Sequence, residues 1–151
     1  MQRFNLFSDD WEQEAGRAGF RSRRTSVRRR VGATRIGGTL YELEPGEKSF
    51  PYHLHHANEE WLVVVRGTPT LRTPDAEREL REGDTVCFPR GPGGAHQVAN
   101  RSDAPARVLV ISTSIYPEVA EYPDSDKLSA WGEEFRFMLR REPQVDYWDG
   151  E

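Results

Sequence analysis

Three of the four histidines in this chain, His53, His55 and His56, fall within residues 45–67, together with the adjacent carboxylates Glu59 and Glu60. One residue separates His53 from His55, so on an extended strand both imidazoles leave the same face of the backbone. The fourth histidine, His96, lies downstream in the Gly- and Pro-marked stretch 89–100. Three imidazole nitrogens and one carboxylate oxygen make a donor set for one divalent transition ion, and Fe, Mn, Zn, Ni, Co and Cu all accept such donors. Four donors leave two octahedral positions for water, dioxygen or a chelating substrate, so the ion could act as a Lewis acid or activate a small molecule. Taken singly, each histidine reads better as a hydrogen-bonded residue of a β-rich interior; the metal reading rests on the set.

Such donors need strands to hold them. Residues 61–65, Trp61-Leu62-Val63-Val64-Val65, form an apolar, β-branched run closed by Arg66-Gly67, and residues 36–44 read as a strand entering a turn at Glu44-Pro45-Gly46. Short alternating pieces follow at 70–73, 78–80 and 85–88, with turn signals at 74–75 and 82–84. Two more strands, 96–99 and 106–112, flank a turn at 100–103. Strands this short with turns this frequent indicate an all-β sandwich or barrel.

The spacing resembles the two-part signature of the cupin superfamily, G-x5-H-x-H-x(3,4)-E-x6-G followed by G-x5-P-x-G-x2-H-x3-N. The first part corresponds to Gly46, His53, His55, Glu60 and Gly67, and the second to Gly83, Pro89, Gly91, His96 and Asn100. Six residues rather than five separate Gly46 from His53, and four rather than two separate Gly91 from His96. Both departures fall in turns. The resemblance covers residues 36–112 and implies a double-stranded β-helix, or jelly-roll β-barrel, with His53, His55, Glu60 and His96 as metal ligands. It selects Glu60 over Glu59, because the family's spacing to His55 and Gly67 is met only there.

With Glu60 facing inward, period-two alternation turns Leu62 and Val64 inward and Trp61, Val63 and Val65 outward. Both faces of that strand are apolar, so both require cover. The outer face needs a terminal arm or a second subunit, which is the physical reason to expect a homodimer. The same alternation sends His56 and Glu59 away from the centre, and nominates Tyr41, Tyr52, Leu62, Val64, Arg72, Phe88 and Val98 as substrate-facing residues.

A chain of 151 residues with 36% apolar and 30% charged residues has room for one modest core, and terminal arms are expected. We divide it into an N-terminal arm with an Arg-rich edge segment (1–35), a barrel (36–112) and an acidic, aromatic tail packing on the barrel (113–151). In the first arm, Ser8 or Asp9 is expected to cap a short helix through Trp11 and Glu14, with Phe4, Leu6, Phe7 or Trp11 docking on the barrel. Residues 17–35 carry eight arginines and no acid. They read as a charge-defended edge strand pairing with the acids of the tail, rather than as a nucleic-acid patch. The net charge of −4 suggests neither a nucleic-acid nor a membrane partner. No signal-like or membrane-length apolar run occurs, so a soluble, cytoplasmic protein is expected. Cys87, between Val86 and Phe88, is expected to be a small core residue. Residues 130–141 alternate as a strand yet also fit a helical face, and the strand reading is preferred; Tyr147-Trp148 is expected to anchor on the barrel.

Two functions follow from the resemblance: a metal-dependent enzyme acting on a small oxygenated molecule, of dioxygenase, isomerase, lyase or decarboxylase type, or a non-catalytic small-molecule-binding or sensory protein. No second constellation identifies a general acid or base.

Overall fold

A computed structural model describes residues 1–151, apart from the side chain of Ala15. In chain order the elements are β1 (Gln13–Ala15), β2 (Ser22–Ser26), α1 (Val27–Val31), β3 (Ile36–Leu43), β4 (Leu54–His55), β5 (Glu60–Arg66), β6 (Thr70–Arg72), β7 (Glu77–Glu79), β8 (Thr85–Phe88), β9 (Gln97–Ala99), β10 (Ala106–Thr113), β11 (Glu118–Tyr122), β12 (Lys127–Trp131) and β13 (Arg136–Arg140). Short 3-10 turns lie at Pro92–Gly94 and Pro123–Ser125. No helix is long and apolar enough to cross a membrane.

The strands form two layers. One is a six-stranded sheet in the order β1-β2-β3-β10-β5-β8. The other is made of β7-β6-β9 and β13-β12-β11-β4, and these two pieces meet at an antiparallel bridge between His53 and His96. The result is the jelly-roll, double-stranded β-helix that the resemblance implies.

Between the layers lies a core of Leu43, Leu62, Val64, Leu71, Leu80, Phe88, Val98, Val108 and Val110. Each such side chain, fully buried, contributes roughly 1.5–3 kcal/mol. The alternation in β5 is as read: Leu62 and Val64 are buried, while Trp61 is 48% exposed. Cys87 pairs with Trp61 across β5 and β8 and is exposed, contrary to expectation. Three consecutive apolar residues hid the parity there: Val86 and Phe88 turn inward, which sends Cys87 out.

The N-terminal arm makes a turn at residues 6–7 and then enters β1, so the helix expected after Ser8 or Asp9 does not form. Arg107 on β10 holds the arm instead. Its buried guanidinium binds Glu42, donates to the carbonyls of Leu6 and Ser8 at 3.0 and 3.1 Å, and meets Asp9 at 2.7 Å. The Trp11 ring lies 4.7 Å from the same guanidinium. Phe7 is 60% exposed and does not dock.

The Arg-rich segment folds as β2 and α1. Its arginines pair with Glu12, Glu42, Glu44, Glu47 and Asp10, not with the acids of the tail. Tail acids find partners elsewhere: Asp124 binds Arg72, and Glu121 binds Arg141 and His56. Residues 130–141 are strand, as preferred, but broken by a tight turn into the β12–β13 hairpin. Tyr147 and Trp148 stay exposed and pack edge-to-face on one another rather than anchoring to the barrel.

Candidate metal centre

His53, His55, Glu60 and His96 come together in the interior, at the seam where the two pieces of the second layer join. His53 and His96 are paired directly: the amide of His53 donates to the carbonyl of His96 at 3.1 Å, and that of His96 to the carbonyl of His53 at 2.8 Å. His55, two residues on, lies opposite Ala120 of β11. Glu60 opens β5 on the facing sheet, paired with Ser112 and Phe88. The chain reaches His96 through a turn that demands Gly94, since a Cβ there would fall 1.7 Å from the carbonyl oxygen of Pro89. Asn100 is buried outside the centre. Its amide donates to the carbonyls of Leu43 and Ala104, and its oxygen accepts from Ser102, so it fixes the turn that returns the chain to β10.

The ring nitrogens are oriented by the backbone. Nδ1 of His53 donates to the carbonyl of Pro51, and Nδ1 of His96 to that of Gly94, each at 2.9 Å. Both Nε2 atoms are thereby left as lone-pair donors aimed inward. Nε2 of His53 lies 3.1 Å from Nε2 of His55, while one Glu60 oxygen lies 3.3 Å from Nε2 of both His55 and His96. Donor atoms of His53, Glu60 and His96 all fall within 4.8 Å of one another. Nε2 of His96 is buried and has no hydrogen-bond partner. A divalent ion satisfies that atom, so the residues present fit a metal.

Aromatic rings wall the centre. Phe88 stacks on His96 with centroids 3.7 Å apart, Phe50 sets its edge against His53 and His96, and Tyr122 stacks on His53 at 5.8 Å. The low-dielectric surroundings and the neighbouring imidazoles push the His53 pKa down to about 3. Burial also opposes a charged His55, but the neighbouring Glu118 and Glu60 carboxylates outweigh it and lift His55 to about 9. Burial opposes the charge on Glu60 as well, and the His55 and His96 contacts overcome that and hold its carboxyl well below the usual range.

Glu118 is the residue that sequence reasoning missed. It is fully buried on β11, one oxygen 3.6 Å from Nδ1 of His55. Its other oxygen accepts the amides of His56 and Ala57 at 3.0 and 3.1 Å, while Asn58 donates to the oxygen that faces His55. Despite burial, the contacts with His55, Ala57 and Asn58 bring Glu118 down to about 2. A carboxylate behind a ligand imidazole fixes its tautomer and strengthens its basicity. No motif marks Glu118; only the pairing of β11 with β4 brings it there.

The nominated substrate-facing residues divide. Leu62, Val64, Phe88 and Val98 are core. Tyr41 and Tyr52 line a cavity of about 1020 Å³ whose wall includes none of the four donors. Arg72 lies 4.0 Å over the Tyr52 ring and binds Asp124. A smaller cleft of about 250 Å³ does reach the centre and is lined by His55, Glu60, Asn58, Arg28, Tyr116 and Trp131, among others. His56 points away and binds Glu121 at 2.7 Å, and Glu59 lies at the surface beside Trp61.

The family model of the cupin domain matches residues 39–112. Among solved structures, a protein provisionally assigned as a sugar phosphate isomerase from Acidithiobacillus ferrooxidans is 28% identical with a TM-score of 0.78, covering 85% of this chain and 81% of that one. The sugar phosphate isomerase of a cupin superfamily from Silicibacter pomeroyi is 31% identical with a TM-score of 0.76, covering 87% and 83%. The tetracenomycin polyketide synthase protein TcmJ of Streptomyces glaucescens is 31% identical over 87 residues, 58% of this chain, and the chain spans just over half, 56%, of that relative. With the double-stranded β-helix, the two motifs in place and a cupin relative matched over most of both lengths, the chain belongs to the cupin superfamily.

Proposed function

We propose that the protein is a metal-dependent enzyme acting on a small oxygenated molecule, with His53, His55, Glu60 and His96 holding one divalent transition ion. The observation that carries this is the convergence of inward lone pairs on His53 and His96, each set by an Nδ1–H bond to a backbone carbonyl. Similarity to two sugar phosphate isomerases favours isomerisation of a short hydroxy-carbonyl compound over the other cupin chemistries. The ion would supply Lewis-acid polarisation of adjacent substrate oxygens. The chain's own residues do the rest: Glu118 orients His55, Phe88 and Phe50 keep water from His96, and the cleft beside Glu60 admits a substrate of a few carbons. The enzyme is proposed to be cytoplasmic and homodimeric, the latter supported by exposed Trp61 and by the exposed apolar residues of β13.

The test is elemental analysis of protein purified without oxygen or chelators, beside the His53→Ala/His96→Ala double variant, with aldose–ketose interconversion of phosphorylated sugars followed by NMR. Near-stoichiometric metal and turnover, both lost in the variant, are expected. A wild type that holds no more metal than the variant, even after metal is added back, overturns the enzyme reading and leaves a ligand-binding protein.

A further inference from the structure

We propose that Arg28 forms an anion subsite in the cleft beside Glu60 and His55, binding the terminal phosphate of the substrate; this rests on the enzyme reading above. Arg28 lines the same cleft as His55 and Glu60, yet no carboxylate pairs with it among the described residues. Its guanidinium is held only by neutral oxygens: the carbonyls of Ala33 and Thr34 at 3.3 and 2.7 Å, and the Ser114 hydroxyl at 3.2 Å. Its neighbours Arg29 and Arg30 do have acid partners, Glu12 and Asp10. A full positive charge at one end of a cleft, paired with no carboxylate, attracts a mobile anion.

The rest of the wall suits an oxyanion. Ser114 accepts from Arg28, which leaves its O–H to donate, and Ser112 makes no side-chain hydrogen bond among the described residues. Register sets the distance. Glu60, Ser112 and Gly37 are directly opposed across β5, β10 and β3, so two interstrand spacings, roughly 10 Å, separate Glu60 from Gly37. A Cβ on Gly37 would lie 2.5 Å from the Ser112 hydroxyl oxygen, and one on Gly38 would lie 3.6 Å from the Arg28 amide nitrogen. Gly37 therefore keeps the cleft floor open beside Ser112, while Gly38, on the opposite face of β3, lies against α1. A short carbon chain with its oxygens at Glu60 and His55 would place a terminal phosphate towards Arg28, where a guanidinium and two hydroxyls match its several oxygens.

The experiment compares the binding of ribose 5-phosphate and ribose to the purified full-length protein by calorimetry, with metal content measured on every sample. The wild type is expected to prefer the phosphorylated probe by about tenfold or more. Arg28→Gln should reduce that preference to about one without changing metal content, Arg28→Lys should keep part of it, and Arg29→Gln on the same helix should leave it intact. Ser114→Ala, which spares the carbonyl contacts of Arg28, should lower the preference severalfold and gives the answer if Arg28→Gln does not fold. A wild type that does not distinguish the probes, or a preference that survives both Arg28→Gln and Ser114→Ala, overturns the subsite. Loss of metal in the wild type with the preference retained would overturn the enzyme reading and leave the subsite standing.

Discussion

His53 and His96 are hydrogen-bonded to one another through their backbones, each amide donating to the other's carbonyl. In an antiparallel pair of this kind the two side chains leave the same face of the sheet. Their imidazole centroids lie 4.8 Å apart. The bridge that joins β4 and β9 at the centre is thus also what sets the spacing of two candidate ligands, so the geometry of the centre is preset by strand pairing.

Glu118→Gln should weaken metal binding about 10–100-fold while the protein remains folded. Glutamine keeps an oxygen for the amides of His56 and Ala57 but removes the charge facing His55. Competition against a chelating dye measures the change; an affinity equal to the wild type's would show that Glu118 only ties down residues 56–58.

The stability of metal-free protein should peak near pH 6.5. Below that value the unfolded chain protonates His53 while the folded chain, with its pKa at about 3, does not, so stability falls as the pH drops. Glu118, at about 2 against a usual 4.5, adds to the loss below pH 4.5. Above pH 6.5 the unfolded chain gives up the His55 proton that the folded chain keeps to about 9, so stability falls again, by up to about 3 kcal/mol. Urea melts of chelator-treated protein between pH 4 and 9 check the shape, and a profile rising steadily through pH 9 would contradict it.

Arg107→Ala should destabilise the fold by about 3 kcal/mol, because it releases residues 6–9 and strips a buried partner from Glu42. Arg23 also meets Glu42, at 2.5 Å, and keeps the cost at the lower end for a buried pair. Thermal melts report the loss, and limited proteolysis should cut the arm first. An unchanged melting temperature would mean that the arm adds nothing to stability.

Sedimentation of the wild type should give twice the chain mass, and Phe137→Glu/Leu139→Glu should give the single chain. Both residues lie on the edge strand β13, about half exposed. If the double variant stays dimeric, the face around Trp61 is the interface to test next.

Where the chain repeats a short period, the sequence could be read directly. The alternation of Leu62 and Val64 against Trp61, and the shared face of His53 and His55, are properties of the strand itself, and the structure follows them. Glu118 could not be found this way, since it lies 58 residues beyond Glu60 in sequence and reaches His55 only because β11 pairs with β4. The N-terminal arm failed for a related reason. Ser8 and Asp9 look like helix caps locally, but Arg107 and Thr25 claim the backbone of that segment from distant strands.

Strand β4 has only two residues, and its partner β11 begins at residue 118. During synthesis all four donors therefore leave the ribosome before the strand that holds one of them, and the pocket stays unfinished until β11 has been added. A fragment ending at residue 112, where the family match ends, would keep every donor and lose the backing of His55. Anyone trimming this protein to its matched region would retain the signature and lose the machinery behind it.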